Sequence, residues 1–208
     1  ALQVGGVLAS WNDNRRIRLA NALGYGADAD TALLAKLNDS SKPVPTLTGV
    51  PYRVLGGIVH ATPQLLTYQG SGDPDPTKID PNRKDYVMSG SMDGVLHIVD
   101  AKTGVEAMSF LPRELLDLQA EALKQGTTGT ALVYGVDAPW AVDTTYELDR
   151  IGQLFKAKTM NIYGGLRMGS GDTSLTTTVA KAARSYYGLD VINLSNPKLL
   201  FRIGADQT

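Results

Sequence analysis

The chain contains no cysteine among its 208 residues. That excludes a disulfide framework, a thiolate metal centre and a cysteine nucleophile. Only two histidines are present, His60 and His97, which leaves little imidazole for a zinc site or a catalytic triad. Neither sign of charge is in surplus, with 20 Lys and Arg against 21 Asp and Glu. The composition therefore advertises neither a nucleic-acid footprint nor a solvating acidic tail. No apolar run reaches the ~18 residues that a membrane-spanning helix requires. The chain opens on Ala1 without a Met, a charged leader or a cleavage pattern, and reads as a mature or excised piece of something longer.

What is present is punctuation. Twenty-two Gly and ten Pro are scattered between short β-rich runs, the pattern of a mainly β chain. The most legible stretch is 85–110, D-Y-V-M-S-G-S-M-D-G-V-L-H-I-V-D-A-K-T-G-V-E-A-M-S-F. Strand-like runs at 86–89, 95–99 and 105–110 are separated by Asp93-Gly94 and by Asp100-Ala-Lys-Thr103-Gly104. Asp and Thr side chains bond their own backbone a few residues on, and Gly supplies the left-handed conformation of a tight turn. Asp93, Gly94, Asp100, Thr103 and Gly104 are accordingly read as a structural turn motif. A further strand is expected within 58–68, completing a four-stranded antiparallel unit over 57–110.

Residues 111–125, with Pro112 in the first turn and Leu115, Leu116, Leu118, Ala122 and Leu123 on one stripe, read as an inserted amphipathic helix closed by Gly126. The strand pattern returns over 131–143, 158–165 and 186–203, where Asp190-Val-Ile-Asn-Leu-Ser-Asn-Pro takes the place of the first unit's D-A-K-T-G. Two tandem units of this size, 57–110 and 131–203, predict blades of a modified, quinoprotein-like β-propeller, partial or a fragment, because two blades do not close a ring. Residues 1–56 are expected to be further blade material or linker. Within them, helix and strand compete over 11–36 on pattern alone.

No assembled catalytic constellation is visible. Asp73, Asp75 and Asp80 place carboxylates in a polar loop that weakly suggests an oxygen-rich cation site, but Pro74 and Pro76 stiffen it and Lys78 and Lys84 occupy positions where a calcium loop needs Gly and Glu. The bland reading is a solvated loop. Gly164-Gly-Leu-Arg-Met-Gly-Ser-Gly lacks the Lys of a phosphate loop, and the Ser/Thr run 173–178 has no partnered base in sequence reach. His60 and His97 are read as buried, hydrogen-bonded strand histidines, and Trp140 as core. No metal, cofactor or catalytic residue is assigned within the chain.

The string Y-V-M-S-G-S-M-D-G-V-L-H-I-V-D-A-K-T-G resembles the strand–DG–strand–D-x-x-T-G unit of quinoprotein-type propellers. Gly56-Gly-Ile-Val-His-Ala-Thr-Pro63, Met92-Asp-Gly-Val-Leu-His-Ile-Val-Asp100, Val136-Asp-Ala138 and Y-Y-G-L-D-V-I-N-L-S-N-P-K-L-L-F fall in the order found in the PilY/PilC family. These segments match the family's GDIVHSSP, NDGMLHAFD and VDG motifs, the last losing its Gly. The resemblance runs from about Arg53 to Ile203. It implies a C-terminal propeller region of a type IV pilus biogenesis factor and tip adhesin: non-enzymatic, exported through the periplasm to the pilus tip or outer surface. Minor pilins or a pilus tip complex, and a host or abiotic surface, are its implied partners. The family's calcium loop has no counterpart here: either it lies beyond Thr208, calcium then being possible in the parent protein, or this member lacks it. The competing classes are a quinone-dependent dehydrogenase propeller and a generic protein–protein scaffold. The polar segments 70–82 and 169–184 are the expected contact loops.

Overall fold

The computed structural model describes residues 13–25, 31–39, 41–43, 45–47, 55–71, 80–113, 115, 135–149, 153–166 and 185–204. Within them the protein is mainly β. Eight strands form one curled antiparallel sheet: β1 (Gln64–Ser71), β2 (Lys84–Gly90), β3 (Leu96–Asp100), β4 (Glu106–Phe110), β5 (Trp140–Asp149), β6 (Leu154–Gly165), β7 (Tyr186–Asp190) and β8 (Lys198–Ile203). β1 to β4 are a four-stranded meander and β5 to β8 a second, each with the up-and-down order of a propeller blade.

Alternation of apolar and polar residues sets the inner face. Leu66, Met88, Leu96, Ile98 and Met108 of the first meander face Trp140, Met160, Ile162, Tyr187 and Leu189 of the second in one core. Phe110, at the end of β4, meets Trp140 and Tyr187 edge-on, with centroids 6.3 and 5.1 Å away. Trp140 is thus core, as its sequence context predicts.

The junction of the meanders is an unusual use of one long strand. β5 pairs along one edge of β6. The opposite edge is shared by two strands, β1 pairing with Leu154–Lys156 and β7 with Asn161–Gly165. Between them the sheet forks, and the fork is bridged where Val191 N–H donates to the Met160 carbonyl at 2.8 Å. The Tyr68 hydroxyl donates to the Val191 carbonyl at 2.5 Å. Burial holds the Tyr68 hydroxyl's pKa well above its ordinary value, so it stays a donor.

Three expectations are corrected. The strand expected within 58–68 begins only at Gln64, because the N–H groups of Val59, His60 and Ala61 are taken by a carboxylate and are unavailable to a ladder. His60 is therefore a loop residue, half-buried, and not a strand histidine. The strand expected over 131–143 starts at Trp140 and runs on to Asp149; residues 135–139 are a turn, and 131–134 lie outside the described residues. The described part of residues 1–56 holds two helices, α1 (Asp13–Ala22) and α2 (Thr31–Leu37). They bury Ala20 and Leu37 in a small core of their own, and Arg16 Nη1 donates to the Asp39 and Lys42 carbonyls at 3.0 Å. Of the expected helix 111–125, only 111–113 and 115 are described, with Arg113 and Leu115 helical.

Backbone proximity dictates small residues where the turn before β5 crosses the first meander. A Cβ on Gly90 would collide with the Val136 carbonyl, and one on Gly135 would lie 2.7 Å from the Gly94 Cα. Gly94 itself has φ 89, as expected of the Asp93-Gly94 turn. Gly90→Ala is expected to cost about 1–3 kcal/mol through backbone displacement, and Gly94→Val more than ~1 kcal/mol through strain. Urea denaturation midpoints check both, and an unchanged midpoint for either would refute the packing described for that residue.

Candidate functional site

Residues 55–63 form an arm that precedes β1 and crosses the end of the sheet, and its anchoring begins with one aspartate. Asp137 lies between Val136 and Ala138 in the turn before β5, and its side chain has 0% exposure. A carboxylate buried this deeply requires compensation. Its Oδ1 accepts from the N–H groups of Val59 at 3.1 Å, His60 at 2.9 Å and Ala61 at 2.7 Å. Its Oδ2 accepts from the His60 N–H at 3.1 Å and lies 2.8 Å from His60 Nδ1. Burial pushes the carboxyl's pKa up, but the bonds from Ala61, His60 and Val59 outweigh it and hold it below its ordinary value.

The other end of the arm rests on the β2–β3 turn. Gly56 N–H donates to Asp93 Oδ2 at 3.2 Å, and Met92 N–H donates to the Gly57 carbonyl at 2.9 Å. A Cβ on Gly56 would lie 2.5 Å from the Asp93 nitrogen, so only glycine permits this approach. Asp93 Oδ1 closes its own turn, accepting from Val95 N–H at 3.2 Å and from the Ser91 hydroxyl. One carboxylate thus bonds both its own turn and the arm.

His97 lies on β3 and is buried, as its sequence context predicts. Its Nδ1 is 2.5 Å from Glu106 Oε1 and its Nε2 is 3.6 Å from Asp93 Oδ2. Burial disfavours the charged imidazole, yet Asp93 and Glu106 together raise its pKa to about 9. Asp100 and Thr103 remain local: Asp100 Oδ1 accepts from Lys102 N–H at 2.9 Å, Thr103 N–H at 2.7 Å and the Thr103 hydroxyl at 2.9 Å. Gly104, at φ 73, lets the chain reverse into β4. Asp190 repeats the device in the second meander, accepting from Ile192 N–H at 3.0 Å.

The acidic-loop candidates are not brought together with these groups. Asp73 and Asp75 lie outside the described residues, as do most of 70–82 and 169–184. Asp80 is described, and both its oxygens accept backbone N–H groups, Oδ2 from Ser71 and Oδ1 from Asn82 at 2.9 Å. Asp80 thus caps a turn, while Asp73 and Asp75, its companions in the cation-site expectation, lie outside the described residues. Among the described residues no group of three or more His, Asp or Glu is placed to hold a metal. Nor is any described helix long and apolar enough to cross a membrane.

The segments that meet here are 56–63, 92–100 and 136–138, the stretches whose order resembles the PilY/PilC family. A search of known proteins finds that family directly: PilY1 of Pseudomonas aeruginosa (strain UCBPP-PA14), a type IV pilus biogenesis factor, is 30% identical over 161 residues. The chain is PilY1-like. The match covers 71% of this chain and 12% of PilY1, so the chain spans a small part of that relative's length. Among solved structures the Pseudomonas aeruginosa PilY1 C-terminal domain is found with 25% identity and a TM-score of 0.33, covering 60% of this chain and 19% of that one. No family model matches.

Sequence reasoning quoted Val136-Asp137-Ala138 as part of the PilY/PilC likeness but assigned Asp137 no role. The available signal was an acid set in the apolar run 131–142, which implies a buried carboxylate in need of donors. Asp137→Asn is expected to cost about 1.5–3 kcal/mol, the range for hydrogen bonds to a charged group. Because the folded pKa is depressed, this contribution is fully present above the ordinary value of 3.8 and is lost as pH falls through the folded value. The stability gap between wild type and Asp137→Asn, measured by denaturation at pH 7 and then below pH ~4, should narrow on acidification. A gap that is constant over that range would refute the ionised role.

Proposed function

We propose that this chain is the sheet region of a type IV pilus biogenesis factor that acts by presenting surface and not by catalysis. The observation that carries the reading is the sequence likeness to PilY1, with the family-ordered motifs converging on the Asp93 and Asp137 anchors. These anchors use their carboxylate oxygens on backbone donors, which suits a rigid scaffold better than proton transfer. The protein is exported and works at the pilus tip or outer surface, where minor pilins and a host or abiotic surface are its partners. Segments 70–82 and 169–184 are its contact loops, on the argument that a fixed sheet positions polar insertions for binding. Calcium, in this reading, acts elsewhere in the parent protein.

Deleting the encoding gene in the organism that carries it should reduce surface pili, twitching motility and attachment, and resupplying the gene should restore them. Shortening either contact loop to a Gly-Ser turn should leave folding intact and lower attachment or pilin co-purification. Unchanged piliation and attachment after deletion would overturn the pilus reading. Parental behaviour of both shortened variants would move the contact surface off these loops.

A further inference from the structure

The arm is anchored at two places of different chemistry, and the difference has a mechanical consequence. At Asp137 three successive N–H groups and an imidazole converge on one fully buried carboxylate. At Asp93 the described part of the arm meets the carboxylate through the Gly56 N–H at 3.2 Å, beside the Met92–Gly57 backbone bond. The Asp93 carboxylate is placed by its neighbours: the Ser91 hydroxyl and Val95 N–H act on Oδ1, and His97 Nε2 lies near Oδ2.

We propose that residues 55–63 form a two-anchor strap in which Asp137 is a fixed pivot and the Asp93 anchor is released when His97 gives up its proton. The charged imidazole lies between two carboxylates, Asp93 at the β2–β3 turn and Glu106 on β4. The residues paired directly opposite it, Ser89 on β2 and Ser109 on β4, are uncharged. The neutral ring keeps one N–H, which the 2.5 Å contact assigns to Nδ1 facing Glu106, so Nε2 turns a lone pair toward Asp93 Oδ2, 3.6 Å away, and ceases to attract it. The long Gly56 contact depends on that placement and is lost first. Asp137 has no such dependence on His97, so Val59–Ala61 stay docked. The pKa of about 9 places the release in mildly alkaline solution. The sign follows: His97 contributes stability in full below its ordinary value of 6.5, and the contribution disappears as pH rises through about 9.

A chain without cysteine allows the test to be made with single labels. Leu55 and Val59 are 56% and 63% exposed and flank the two anchors. Leu55→Cys and Val59→Cys, each carrying a nitroxide, are followed by electron paramagnetic resonance between pH 7 and 10.5 in the full chain. The label at 55 should become mobile as pH passes about 9, while the label at 59 stays immobilised. In His97→Gln the label at 55 should be mobile already at pH 7 and indifferent to pH. Glu106→Gln should move the transition to lower pH by removing one of the two carboxylates, and it decides the matter if His97→Gln does not fold. An immobile label at 55 throughout, both labels loosening together, or a transition that persists in His97→Gln or stays in place in Glu106→Gln would overturn the proposal.

Discussion

The structure depends on the buried carboxylate of Asp137. Its cost of desolvation is met only if donors reach it, and the donors come from the segment that precedes the first meander in the chain. Satisfying one charge therefore fixes three things together: the path of the arm, the start of β1 at Gln64 and the turn that delivers Trp140 to the core. The same turn presses on Gly90 and Gly94, so the carboxylate's neighbours seat against the Asp93 turn without space for a side chain. Two meanders that are separate in sequence are in this way held together by polar contacts at one end and by a shared apolar core along their inner faces.

The second element of cohesion is β6. Twelve residues long, it offers one edge to β5 and divides the other between β1 and β7. A divided edge forces the strands on it to diverge, which curls the sheet and opens the fork that Tyr68 and Val191 bridge. The aromatic contacts of Phe110 with Trp140 and Tyr187 fill the concave side that this curling creates. The sheet is thus tied at both its end and its middle.

Much of the fold was legible because much of it is local. The strands at 84–90, 96–100 and 106–110 follow from alternation and from turn dipeptides, and the Asp190 turn was recognisable as a counterpart of Asp100. Less was legible in the arm and in β5. Residues 58–68 have strand composition, but Pro63 and the demand of Asp137 for N–H groups withhold the first of them from the sheet. β5 after Val142 reads D-T-T-Y-E-L-D and is exposed at all but Thr144, so it lacks the apolar alternation that marks a half-buried strand. The helices α1 and α2 were ambiguous for the converse reason, since their apolar residues suited either period.

Two aspartates mark the boundary between what the sequence by itself determined and what tertiary structure decided. Asp100 bonds groups two and three residues away, so its turn, and with it the β3–β4 reversal, was determined by neighbours in the chain. Asp137 bonds groups 76 to 78 residues away, and no local pattern specifies such partners. The mainly β class, the turn chemistry and the likeness to the PilY/PilC family were therefore properties of the sequence. Which residues anchor the arm, which histidine leaves the strand, and how two meanders share one edge of β6 were decided only when burial brought distant charges and donors together, because desolvation acts on neighbours in space and not in sequence.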